Sequence, residues 1–329
     1  MPLQKINEQW VHYEDSGGNL PAVVLAHGLL MDCELFAPQV EALSPMWRII
    51  TWEARCHGET ESTDEPFTYW DLAEDLSGLL DHLGIQRAVI GGMGQGGFVA
   101  LHFALKNPER VAALILLGTP AGTEDPEKVA TYESMLDVWE TEGLNDQLAE
   151  TIAATILGDK WPGREAWIAK WRQRPPSLLR PAFNALVGRE NIHDRLGEIR
   201  AAALVIHGTA DAAIDIELAQ HLCSELANSL PLIRIEGGGH ACNLTHPNLV
   251  NLAVQRRLVE LGLATPRAVE RRGDGRRSDR MRRNGERRDP VSASAGRRVL
   301  FPFDRRMAER RGLERRQSWP LHNHRTAKP

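Results

Sequence analysis

Apolar positions change their spacing several times along the first 266 residues. β-branched and aromatic residues cluster between turn signals at Ile6 to Glu14, Ala22 to Ala26 and Trp47 to Glu53, which predicts three early strands. From Tyr69 to Leu83 the spacing becomes helical, with Leu72, Leu76, Leu79, Leu80 and Leu83 on one stripe and Gly84 as a stop. A short apolar strand, Ala88-Val89-Ile90, then leads into the glycine-rich stretch Gly91 to Gly97. A helix follows from about Phe98 to Lys106, and Asn107-Pro108 ends it. Val111 to Leu117 and Ala203 to His207 are continuous apolar runs, as expected of parallel strands buried on both faces. The alternation predicts an α/β fold: a mostly parallel central sheet with crossover helices on both faces.

Between Thr119 and about Leu196 the rhythm turns wholly helical and carries Trp139, Trp161, Trp167 and Trp171. This predicts a core of residues 1–120 and 197–266, interrupted by a helical lid at 121–196 over the carboxyl edge of the sheet, where open α/β folds place their ligands. The tryptophans are then candidate substrate contacts, although each taken alone reads more readily as packing of the insertion against the body.

Charge divides the chain at residue 266. Residues 267–329 hold 20 Lys and Arg against 8 Asp and Glu, in repeated arginine pairs such as Arg271-Arg272 and Arg315-Arg316. Their net charge of +12 leaves −17 on residues 1–266, so the formal −5 of the 329-residue chain describes neither part. With few apolar residues this tail is expected to be disordered, and contact with nucleic acid or an anionic membrane is its functional alternative to plain solvation. The four cysteines, Cys33, Cys56, Cys223 and Cys242, are scattered and show no C-x-x-C pair. Together with an N-terminus that lacks a secretory profile and the absence of an 18-residue apolar run, they predict a cytoplasmic protein.

The candidate chemistry lies in five short motifs. Gly92-Met93-Gly94-Gln95-Gly96 sits where a strand turns into a helix. His27-Gly28-Leu29-Leu30 follows the strand Ala22 to Ala26. Glu53-Ala54-Arg55-Cys56-His57-Gly58-Glu59-Thr60, His207-Gly208-Thr209-Ala210-Asp211 and Gly237-Gly238-Gly239-His240 come in that order. This set resembles the α/β-hydrolase superfamily, in its esterase, enol-lactonase and cofactor-free haloperoxidase-like branch. The corresponding family motifs are the G-x-S-x-G nucleophile elbow, an oxyanion loop, D-x-R-G-x-G-x-S, H-G-x-x-D and G-x-G-H. The branch is also suggested by Phe36-Ala37-Pro38-Gln39-Val40-Glu41-Ala42-Leu43.

The resemblance implies Asp211 as triad acid, His240 as general base, and the backbone amides of Leu29 and Gln95 as the oxyanion hole. It implies no metal and no organic cofactor, and His27, His57, His207 and His246 show no metal-ligand spacing. The expected partner is a small apolar or aromatic ester or lactone. The departure is at the nucleophile: its position is Gly94. A carboxylic-ester or lactone hydrolase without its serine is the main reading, whether by replacement or by natural divergence. A non-catalytic binder of a small apolar ligand, and a slow hydrolase or lyase in which His240 and Asp211 activate water directly, are the alternatives.

Overall fold

The fold is described over residues 3–264 by a computed structural model. Its sheet contains β1 (Leu3–Ile6), β2 (Gln9–Asp15), β3 (Ala22–Ala26), β4 (Arg48–Trp52), β5 (Ala88–Met93), β6 (Val111–Leu117), β7 (Ala202–Gly208) and β8 (Ile233–Ile235). The spatial order is β1-β2-β4-β3-β5-β6-β7-β8. The first two pairings, β1 with β2 and β2 with β4, are antiparallel, and the others are parallel.

The apolar runs are continuous because both faces of the central strands are covered. Along β6, Leu114 and Leu116 enter one core while Ala113, Ile115 and Leu117 enter the other; β7 divides Ala203 and Val205 from Leu204 and Ile206 in the same way. The first core is closed by α2 (Tyr69–His82), α3 (Gln95–Lys106) and α8 (Ile216–Glu225). The second is closed by α1 (Ala37–Leu43) and α10 (Pro247–Glu260), together with residues of the helices described next. Thr68 starts α2 with a capping box, accepting from the Asp71 amide while the Asp71 carboxylate takes the Thr68 amide.

Between β6 and β7 the chain forms α4 (Pro126–Glu142), α5 (Asp146–Leu157), α6 (Arg164–Gln173) and α7 (Arg180–Val187). A four-residue α9 (Cys242–Thr245) precedes α10. The arginine-rich stretch 267–329, expected to be disordered, lies outside the described residues.

Two sequence expectations are corrected. The single strand at Ile6 to Glu14 is a hairpin, in which Asn7 (φ +45°) and Glu8 (φ +68°) form a two-residue turn and Ile6 pairs with Gln9. Neither turn residue is glycine, so the strand-like pattern runs through the turn unmarked. The strand expected at Ala88 to Ile90 also runs on to Met93. Gly91 and Gly92 remain in β5, and a Cβ on Gly91 would come within 2.6 Å of the Ile115 carbonyl oxygen.

The sheet order positions the site. From β3 the chain steps outward to β4 and then returns to the other side of β3 as β5. The loops leaving β3 and β5 therefore diverge at a topological switch point, the place where such sheets open a crevice.

Candidate active site

At the end of β5 the backbone turns sharply into α3. Gly94 has φ +52° and ψ −113°, a conformation that disfavours side chains, and its amide donates to the Leu117 carbonyl at 2.8 Å. The framing glycines are required by close approach. A Cβ on Gly92 or Gly96 would collide with the backbone of the other segment of the turn or with the Ala26 carbonyl, and one on Gly97 with Thr119. Position 94 is different. A Cβ there would meet only the imidazole of His240, 3.1 Å from Nε2 and 3.5 Å from Cε1.

His240 follows the Gly237-Gly238-Gly239 loop after β8, and Asp211 lies just beyond β7. His240 Nδ1 is 2.9 Å from Asp211 Oδ2, so Nδ1–H donates to the carboxylate and the Nε2 lone pair faces position 94. The Asp211 side chain is 1 % exposed, and its other oxygen accepts the amides of Ala213 and Ile214 at 2.9 and 3.0 Å. Burial pushes this carboxyl up, but the charge His240 carries when protonated, the hydrogen bond from its Nδ1 and the Ile214 amide outweigh it and hold the group below the usual carboxylate range.

The loop after β3 is held by two buried histidines. His27 donates from Nδ1 to the Gly28 carbonyl at 2.7 Å and accepts the Ala54 amide on Nε2 at 3.1 Å. His57 donates from Nδ1 to the Arg55 carbonyl at 2.9 Å and accepts the Leu30 amide on Nε2 at 3.3 Å. Each ring must be neutral to make both bonds. Burial lowers both imidazoles in agreement with this, that of His57 strongly. Leu30 itself has φ +66°, so its amide bond to His57 helps to hold an unfavourable backbone.

Gly94, Gln95, His240 and Leu29 share the lining of one cavity of about 170 Å³. Gln95 opens α3, whose first amides have no partner within the helix. The walls are mostly apolar, with Phe98, Tyr132, Met135, Trp139, Ile152 and Phe183 prominent. Of the four tryptophans expected to face substrate, only Trp139 lines this cavity. Trp167 and Trp171 are buried in the second core and Trp161 packs over Gly163, so none of these three lines the cavity. Their bulk was spent on packing α6 to the body.

A family model described as alpha/beta hydrolase fold matches residues 21–247. The chain belongs to the α/β-hydrolase family. It is 26 % identical over 261 residues to the protein named "Putative carbamate hydrolase RutD" of Caulobacter vibrioides, covering 74 % of this chain and 93 % of that one. It is 27 % identical over 205 residues to 3-oxoadipate enol-lactonase 1 of Acinetobacter baylyi, covering 60 % and 74 %. Among solved structures, the enol-lactonase from Burkholderia xenovorans LB400 superposes with a TM-score of 0.71 at 26 % identity, over 78 % of this chain and all of that one. A thermophilic esterase from Thermogutta terrifontis gives 0.70 at 27 % identity, over 76 % and 93 %.

Three features of this α/β hydrolase were not anticipated from its sequence. The Trp171 indole donates to the Leu30 carbonyl at 2.8 Å, tying α6 to the loop after β3. Gly118, with φ +51°, lies under the dyad: a Cβ there would stand 3.0 Å from His240 Nδ1 and 3.2 Å from Asp211 Oδ2. On the cavity wall Arg189 pairs with Glu124 at 3.1 Å, with side chains 2 % and 9 % exposed. Arg189 also donates to the carbonyls of Gly122 and Leu186 and stacks on Phe98. Only Gly118, next to a strand end, carried a signal in sequence.

Proposed function

We propose that this α/β hydrolase is built for a small ester or lactone with an apolar or aromatic body, and that it lacks the serine nucleophile of the Ser-His-Asp type. The observation that carries the reading is the His240 Nε2 lone pair, 3.1 Å from where the Cβ of residue 94 would stand, with Nδ1 held by Asp211. A serine there would put its hydroxyl within reach of that nitrogen. The hydroxyl oxygen would add to the carbonyl as its proton passes to His240, and the amides of Leu29 and Gln95 would receive the oxyanion. Collapse would expel the alcohol, protonated by His240, and water would then release the acid.

Without the hydroxyl no acyl-enzyme forms. Loss of a triad member costs on the order of 10⁴ to 10⁶ in turnover, so the chain binds its ester and converts it only slowly. The residual route uses water. His240 takes a proton from a water molecule, the hydroxide adds to the carbonyl, and the same proton leaves with the alcohol. The similarity to enol-lactonases and esterases supports the substrate class, and the apolar cavity supports an apolar body next to the reacting carbonyl.

The test is Gly94→Ser assayed with short p-nitrophenyl esters and with lactones. A gain of at least about 10³ over the unaltered chain is expected. No gain, in a variant that still melts cooperatively, would overturn the reading and favour a ligand carrier. For the water route, His240→Ala in the Gly94 background should abolish the slow hydrolysis, and an unaffected rate would remove His240 from the chemistry.

A further inference from the structure

Two groups of three metal-ligating side chains converge among the described residues, and neither includes Asp211 or His240. In the first, His12, Cys33 and Glu53 are buried, and the Glu53 carboxylate is already spent. It accepts the Cys33 amide at 3.2 Å, the Glu59 amide at 2.6 Å and His12 Nδ1 at 3.0 Å. These donors account for the cluster as the brace of the Glu53–Thr60 turn, and a cation there would face amide hydrogens.

The second group is of another kind. His221 and Glu225 lie four residues apart on one face of α8, and His193 comes to them from the end of the helical insertion. Glu225 Oε1 is 2.9 Å from His221 Nε2, and Oε2 bonds His193 Nδ1. The two imidazoles are the only partners of this carboxylate among the described residues, and no backbone amide competes for it. The rings stack with centroids 4.6 Å apart, and the three donor atoms lie within 4.8 Å of one another. His221 is 54 % exposed, which leaves a path from solvent and a place for a water ligand.

We propose that His193 Nδ1, His221 Nε2 and the Glu225 carboxylate form a binding site for a divalent transition-metal ion of the zinc type. Two imidazoles and one carboxylate are the donors such ions take at about 2.0–2.2 Å, whereas calcium and magnesium want oxygen. On binding, the proton that His193 Nδ1 now donates to Glu225 passes through solvent to Nε2, His221 carries its single proton on Nδ1, and the ion replaces the His193 hydrogen bond and the His221 contact that now hold the carboxylate. The position gives the ion a structural consequence. The Ile192 amide donates to the Ala121 carbonyl at 3.1 Å, and His193 Nε2 lies 3.2 Å from where a Cβ of Gly122 would stand. Both roots of the helical insertion therefore meet at His193, and a bound ion would fasten them to α8. This site is independent of the proposed esterase reading.

The experiment is a zinc titration of the full chain by calorimetry, alongside thermal melts, for the unaltered protein, His193→Ala/His221→Ala and Glu225→Gln. His322 and His324 are present in all three, so any zinc they take cancels in the comparison. The unaltered chain should bind one equivalent more than the double variant. Its Tm should rise by at least about 5 °C more at a hundredfold excess over Kd, with no such rise in magnesium. Glu225→Gln, which keeps both imidazoles, should weaken that equivalent at least tenfold and serves if the double variant does not fold. Equal stoichiometry and equal Tm shifts across the three proteins would overturn the site.

Discussion

The indole nitrogen of Trp171 lies 2.8 Å from the carbonyl oxygen of Leu30, the residue after the proposed oxyanion donor Leu29. A side chain from the helical insertion thus anchors a loop of the α/β core, beside the bond from the Leu30 amide to His57. Packing and site geometry meet at this one tryptophan. Trp171→Phe keeps an aromatic ring but removes the donor and the second ring of a buried indole. It should cost at least about 1 kcal/mol of stability by urea unfolding, and in a Gly94→Ser background it should lower kcat more than it raises KM. Unchanged kcat would separate the insertion from the proposed oxyanion loop.

Acid should destabilise the protein through its buried imidazoles. Burial lowers the pKa of His27, His57, His102 and His207, so they stay neutral in the fold when the unfolded chain takes protons near pH 6.5. The unfolded state then binds more protons, and stability falls as pH drops below that value. The limiting slope is about 1.4 kcal/mol per pH unit for each such group. Urea midpoints at pH 7.5, 6.0 and 5.0 should decline steadily. A flat profile would mean that these rings are protonated in the native state.

Gly118 sets a limit on the dyad. Alanine there would carry a side chain at φ +51° and crowd both His240 Nδ1 and Asp211 Oδ2. The backbone cost is about 1–2 kcal/mol, and moving the histidine by a fraction of an ångström should reduce kcat by roughly 10² in a Gly94→Ser enzyme. Melting temperature and kcat measured together distinguish the two effects. A full rate in Gly118→Ala would show that the dyad tolerates displacement.

The Glu124–Arg189 pair should behave as a buried charge pair. Glu124→Ala leaves the Arg189 charge uncompensated at 2 % exposure and should cost about 3 kcal/mol, whereas replacing both by Leu and Met should cost much less. Urea unfolding of the single and double variants checks the difference. A double variant no better than the single one would assign the loss to packing against Phe98 instead of to charge.

Much of this architecture was legible because its chemistry is local. The apolar runs of β6 and β7, the leucine stripe of α2 and the strand-to-helix turn at Gly94 each state their environment within a few residues. Asp211 and His240 were legible as a pair because chain order and glycine context place each at a strand end, and they do meet. The tryptophans were not. Trp139 and Trp171 lie in the same helical insertion, yet one faces the cavity and the other reaches the Leu30 carbonyl, and only the packing of α4 and α6 decides which. The Asn7-Glu8 turn stayed hidden for a simpler reason, since two ordinary residues occupy a left-handed conformation that usually announces itself with glycine.

The crowding around Gly92, Gly96 and Gly97 has a consequence for how such a protein can diverge. Those three positions are locked by neighbouring backbone and by Thr119, while the one between them opens only onto a movable ring. The elbow is a socket whose walls hold without its occupant. On the proposed reading, exchange of that occupant leaves the fold, the cavity and the His240 ring in register, so a single codon would decide reactivity.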